Sequence, residues 1–231
     1  MTYDEIIREL EANRNPDNLA GMARFGITPE HAYGWRMPDL RQLAKRARPR
    51  DKQAQHDLAA QLWANNNRET RILASLIDEP KLVTPGQMDA WTAEFDYWEI
   101  CDQCCANLFQ KTPYAYDKAY EWSALEPEYV KRAGFVMMAR IAVKDKKAPD
   151  ENVEPFLAVI EREADDPRDM VKKGSNWALR QIGKRNVYLN ARAIETANRI
   201  LACDSKAARW IARDALKELR STAVQNRLRK S

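Results

Sequence analysis

Prolines punctuate this chain at short intervals, and between them the apolar residues recur at helical spacing. Pro16, Pro29, Pro38, Pro80, Pro85, Pro113, Pro127, Pro149 and Pro167 fall at the joints, between the periodic segments or at their first residue, where a missing N–H does least harm. Alternation of apolar and polar residues with period two is almost absent. Such a pattern predicts an all-α chain built of short helices. The spacing places them at about 2–13, 17–25, 38–48, 51–65, 69–79, 85–94, 97–110, 114–123, 127–145, 151–163, 167–184, 189–202, 205–219 and 222–229. Pro155 is the exception, set within the first turn of the helix expected at 151–163. Joints of a few residues make antiparallel neighbours the natural packing.

A weak internal repeat sharpens this expectation. Val130-Lys131-Arg132-Ala133-Gly134-Phe135-Val136 resembles Val171-Lys172-Lys173-Gly174-Ser175-Asn176-Trp177, and Lys173 to Arg180 resembles Lys206-Ala207-Ala208-Arg209-Trp210-Ile211-Ala212-Arg213. In each copy a basic residue and small residues open a helix and an apolar stripe follows. Two helices per unit and a period near 40 are the signature of HEAT-like α-solenoids, whose second helices line one concave face. The expected architecture is therefore one domain, residues 1–231, with about residues 1–36 forming N-terminal helices packed on the array. Arg132, Lys173 and Lys206 share a repeat position, and Trp177 lies one turn beyond Lys173.

Charge is distributed unevenly along the chain. Residues 167–231 hold 10 Arg and 6 Lys against 5 acids, whereas the first 166 residues hold 22 basic and 29 acidic side chains. Positive charge concentrated in this way points to a polyanionic partner, and a concave basic groove with a Trp among its cations suits a nucleic-acid backbone. An acidic protein partner in the same groove is the alternative. The content, 45% hydrophobic and 31% charged, excludes a disordered chain. No stretch approaches the ~18 consecutive apolar residues of a membrane span. The opening Met1-Thr2-Tyr3-Asp4-Glu5 has no apolar signal core, so the expectation is a cytoplasmic monomer without membrane contact. Cys101-x-x-Cys104 has no second ligand pair for zinc, His31 and His56 being remote, and lacks the βαβ setting of a redox pair. Cys101, Cys104 and Cys105 therefore read as small buried thiols, and neither metal nor cofactor is expected.

Against this basic background, residues 82–110 carry Asp89, Glu94, Asp96, Glu99 and Asp102 and no Lys or Arg. In a helix starting near Tyr97, Trp98 and Asp102 are i and i+4 and share a face. An indole beside a carboxylate suits a cationic guest. An acidic helix with one buried Trp is the plain alternative, as is a core role for Trp177 and an ion pair for Arg132.

Trp98, Asp102, Arg132 and Trp177, in this order, resemble the alkylpurine DNA glycosylases of the AlkD type. Tyr33-Gly34-Trp35-x-x-Pro38-x-x-Arg41-Gln42-Leu43, Leu62-Trp63 with Arg68-Glu69 and Ala74, Val130-x-Arg132-Ala133 and Gly174-x-x-Trp177-x-Leu179-Arg180 are similar to further segments of that family. The likeness runs from about residue 20 to residue 220. Two departures stand out: Glu99 replaces a usual Asp, and Gly174-Ser175-Asn176 precedes Trp177 where an apolar residue is common.

The resemblance implies hydrolysis of the N-glycosidic bond of N3- or N7-alkylated purines in duplex DNA. Asp102 is then expected to stabilise the sugar cation and position water, Trp98 and Trp177 to flank the sugar, and Arg132 to hold a phosphate. Repeat position alone nominates Lys131, Lys172, Lys173, Arg180, Arg209 and Arg213 as further phosphate contacts, and Arg180 also matches the family pattern. A non-catalytic HEAT-like module binding DNA or RNA, and a protein-interaction scaffold, are the alternatives.

Overall fold

The computed structural model describes residues 1–27, 29 and 31–230. Thr28, Glu30 and Ser231, included in the single domain expected from sequence, lie outside the described residues. Every regular element among the described residues is helical. The chain divides into two compact units, Met1–Pro113 and Tyr114–Ser231.

The first unit holds α1 (Tyr3–Ala12), α2 (Pro16–Ala23), α3 (Met37–Ala47), α4 (Lys52–Ala64), α5 (Arg68–Ile77), α6 (Pro85–Ala93) and α7 (Trp98–Asn107), with a 3-10 turn at Phe109–Lys111. Local chemistry starts these helices. Thr2 and Glu5 exchange side-chain and backbone hydrogen bonds in a capping box at α1, and Asn67 caps α5. α5 is buried almost throughout, including Arg68, Glu69, Thr70 and Arg71 in its first turn. Polar groups so placed need partners. Arg71 finds Glu94 Oε2 at 2.7 Å and lies 4.9 Å from the ring centre of Trp63, which stacks on Trp91 at 4.1 Å. Gly34, with φ +85, lets the chain pass against the start of α2: a Cβ there would lie 2.0 Å from the Asn15 carbonyl oxygen.

The second unit holds α8 (Ala115–Ser123), α9 (Glu128–Lys144), α10 (Asp150–Val153), α11 (Phe156–Arg162), α12 (Asp169–Gly183), α13 (Val187–Ala202), α14 (Lys206–Leu219) and α15 (Thr222–Leu228). α9 is its centre, buried without a break from Val130 to Ala139 and packed between α8 and α12. Gly134 makes the first of these contacts possible: a Cβ would sit 2.4 Å from the backbone nitrogen of Ser123. α12 in turn packs on α13 and α14.

Most helix limits fall within a few residues of the sequence expectation. The helix expected at 151–163 is instead two, α10 and α11, with Pro155 as the N-cap of the second. Proline has no N–H to give, and its ring excludes the carbonyl four residues back, so the helix breaks there. The repeat also holds only in part. Its small residues Ala133, Gly174 and Ala207 are buried at helix contacts, but Arg132 is 6% exposed while Lys173 and Lys206 are open to solvent. None of the described helices is long and apolar enough to cross a membrane.

Candidate functional site

α7 carries the first pair of the residues expected from sequence to form a site. Ile100, Cys101, Cys104 and Cys105 fill its core side, and Trp98 and Asp102 lie half-buried on another side, one turn apart. The helix begins at Trp98 without a side-chain cap, but the indole is fixed from outside. Its Nε1 donates to the Phe25 carbonyl at 2.8 Å. The positive φ of Gly26, +70, turns the chain beside the ring, so a Cβ there would lie 3.8 Å from Nε1. Phe25 itself is 74% exposed.

Glu99, the carboxylate next to Trp98, has a different task. It is buried and takes both arms of Arg68, Nε and Nη2, each at 2.7 Å. Arg68 also gives Nη1 to Glu69 Oε1 at 2.8 Å and to the Trp35 carbonyl at 2.9 Å. Glu69 then accepts the backbone N–H groups of Tyr33, Gly34 and Trp35 at 2.8, 3.0 and 3.1 Å. Burial opposes the charge on Arg68, and the hydrogen bonds and charge of Glu99 and Glu69 outweigh it, holding the guanidinium above its usual value. A chain of charged hydrogen bonds thus ties the start of α7 to α5 and to the 33–35 segment. Glu99 and Asp102 are the two carboxylates of α7. With Glu99 committed to Arg68, Asp102 is the one on its half-exposed side.

Arg132 and Trp177 belong to the second unit. Arg132 is buried on α9 and donates through Nη1 to the Met170 carbonyl at 2.8 Å. Its side chain runs along α12, with Cγ 3.5 Å from the position a Cβ would take on Gly174. Arg132 thus packs beside Gly174, one turn before Trp177, where a Cβ would meet only ordinary contacts. Trp177 is half-buried, and its Nε1 lies 3.0 Å from the Gln181 amide, whose oxygen also faces Lys184 Nζ at 3.1 Å. Trp98 and Asp102 thus share one helix face of the first unit, and Arg132 and Trp177 share the α9–α12 contact of the second.

The basic residues nominated from repeat position divide sharply. Lys131 is buried, its ammonium 2.9 Å from Glu163 and 3.6 Å from Asp166, which is an internal ion pair and not a surface contact. Arg180 faces Glu218 and lies 3.6 Å from Asp214. Lys172 is held by Asp169 at 2.7 Å and reaches 5.1 Å from the Trp210 ring centre. Lys173 is half exposed, 3.9 Å from the same Asp169. Arg209 pairs with the fully exposed Asp204 at 3.0 Å, and Arg213 is exposed.

The sequence profile of the DNA alkylation repair enzyme family matches residues 6–219. This chain belongs to that family. Two uncharacterised proteins, from Listeria innocua and Listeria monocytogenes, are 26% and 25% identical to it over 137 residues, which is 58% of this chain and 60% of each relative. The matched part thus spans about 60% of the length of those curated relatives. A solved structure from "a new family of proteins related to the HEAT-like repeat DNA glycosylases with affinity for branched DNA structures" aligns over 99% of this chain and 96% of its own, with a TM-score of 0.76 at 19% identity. The DNA alkylation repair enzyme family member described here therefore has the all-α HEAT-like fold that its sequence leads one to expect.

Two features of this family member escaped the sequence reading. The Arg68–Glu69–Glu99 network joins residues some thirty positions apart, and only Arg68-Glu69 beside a buried-looking helix hinted at it. Trp210 entered the repeat comparison without a role, although Lys206, Arg209 and Arg213 at neighbouring helical positions were a signal of a basic surface with an aromatic centre.

Proposed function

We propose that this protein is a DNA glycosylase that hydrolyses the N-glycosidic bond of cationic N3- or N7-alkylated purines in duplex DNA. The observation that carries the reading is the Trp98–Asp102 pair: an indole and a carboxylate one turn apart on the half-exposed side of α7, on a chain of the DNA alkylation repair enzyme family. An alkylated purine is already a cation and a good leaving group, so it needs no general acid. One carboxylate is then enough where ordinary glycoside hydrolysis uses two. In this reading Asp102 stabilises the positive charge that develops on the deoxyribose and orients water, and Trp98 and Trp177 offer electron-rich faces to the sugar. Arg132 holds a phosphate beside the lesion, with Lys172, Lys173, Arg180, Arg209 and Arg213 supplying further backbone contacts. Lys131 has no part in it, being committed to Glu163 and Asp166.

Duplex DNA treated with a methylating agent provides the test. The protein should release N7-methylguanine and N3-methyladenine, and Asp102→Asn should lower that release by about 10²–10³-fold while DNA binding persists. Uracil, a neutral base, should stay in place. Efficient uracil excision by the pure protein, or undiminished release by the Asn variant, would overturn the mechanism. A second reading, a DNA-binding protein without glycosylase chemistry, is favoured by the solved relative of this fold described as having affinity for branched DNA. Binding without base release would select it.

A further inference from the structure

Trp210 is the one exposed indole among the seven tryptophans of the chain, with 41% of its surface open. It sits on α14, where Lys206 is one turn before it, Arg213 nearly one turn after it and Lys217 two turns after it. With Arg209 and these three cations it lines an open pocket of about 370 Å³. Lys172, from α12, lies over the ring at 5.1 Å. Arg209 has an acidic partner in Asp204, whereas Lys206, Arg213 and Lys217 make no ion pair with any described residue. Asp214 is the one acid in the lining, and it faces Arg180 at 3.6 Å.

An indole with part of its face open and cations around it suits a ligand that is anionic around a flat apolar face. A nucleotide has this make-up. In a paired duplex, however, the faces of the bases are hidden by their neighbours, so phosphate contacts would engage the cations and leave the indole bare. A base outside the helix can lie on the ring while its flanking phosphates meet Lys206, Arg209, Arg213 and Lys217.

We propose that Trp210 is a stacking platform for one unpaired base of DNA, so that the protein prefers DNA carrying an overhang, gap or flap to the same duplex fully paired. The proposal rests on the reading that the chain binds DNA, but it is independent of base excision. Fluorescence anisotropy with the full chain tests it, using a labelled blunt duplex and the same duplex with a short oligo-dT overhang. The overhang should tighten binding about tenfold, the scale of one base–aromatic stack. Trp210→Ala should abolish that gain while leaving blunt-duplex affinity within about twofold, since phosphate contacts are retained. Trp210→Phe should keep most of the gain. Circular dichroism confirms that each variant is folded. A wild-type protein that binds both DNAs equally, or an Ala variant that keeps the overhang preference, overturns this inference alone. A chain that binds neither DNA overturns it together with the proposed function.

Discussion

Replacing Glu99 with Gln removes a charge from a buried pair at nearly constant volume. Arg68 gives two hydrogen bonds of 2.7 Å to the Glu99 oxygens, and the two side chains are 2% and 6% exposed. In the variant the amide keeps one acceptor and turns its NH₂ toward a guanidinium N–H, donor against donor. A hydrogen bond to a charged group contributes about 1.5–3 kcal/mol, and removing one partner of a buried ion pair costs about 3–5 kcal/mol. Arg68 keeps Glu69 and the Trp35 carbonyl, so the lower end, about 3 kcal/mol, is expected. In a chain of this size that corresponds to a fall in Tm of roughly 6–12 °C. Urea unfolding followed by circular dichroism measures the loss, and hydrogen exchange locates it. The amides of Tyr33, Gly34 and Trp35, which donate to Glu69, should lose protection. Glu99→Asp keeps the charge on a shorter stem and should fall between the two. A loss below about 1 kcal/mol, the scale of an exposed pair, with exchange unchanged, would refute the reasoning.

Two further perturbations probe the second unit. Burial pushes the carboxyls of Glu163, Asp166 and Glu218 up, but hydrogen bonds from Arg162 and Lys131, from Arg168, and from Lys184 and Arg180 respectively outweigh it, leaving all three below their ordinary values. A carboxyl depressed by folding contributes its full stability above the unfolded value, 4.5 for Glu and 3.8 for Asp, and loses it as pH falls through the folded value. Thermal melts should accordingly stay level down to about pH 4.5 and drop below it, with Asp166→Asn flattening the drop; an unchanged acid limb would count against these pairs. Lys131→Met should destabilise the fold by about 2 kcal/mol, less than a full buried-pair loss because Arg162 and Arg168 remain with the acids. The salt dependence of DNA binding should not change, and a slope reduced by about one ion would instead make Lys131 a phosphate contact.

What the sequence revealed was what the helix itself dictates. Proline positions and apolar spacing are local, so they located nearly all the helices, and the i, i+4 relation placed Trp98 and Asp102 on one face before any tertiary contact was known. The small residues Ala133, Gly174 and Ala207 were legible as well, and all three are buried. Tertiary partners were not. Arg132 and Lys173 share a repeat position, yet α9 is enclosed by its neighbours and α12 is open at Lys173, so one side chain is buried and the other is a surface cation. Glu99 reads as a conservative replacement in a motif, and only its meeting with Arg68, 31 residues earlier, shows that it is part of a structural network. Trp210 shares its apolar character with six other tryptophans, and its exposure depends on which neighbours happen not to cover it.

The burial of the thiols on α7 has a chemical consequence. The thiolate, not the thiol, is the nucleophile that attacks an alkylating electrophile. Cys101, Cys104 and Cys105 are 0% exposed, and burial pushes the Cys104 thiol well above its usual value, so it stays protonated as well as shielded. The thiols of the helix bearing Trp98 and Asp102 are thereby shielded from the class of reagent that alkylates DNA bases. Cys203, at the end of α13, is the one exposed cysteine and would be the first to react. Alkylation of this chain would leave its mark at Cys203 and spare the three thiols of α7.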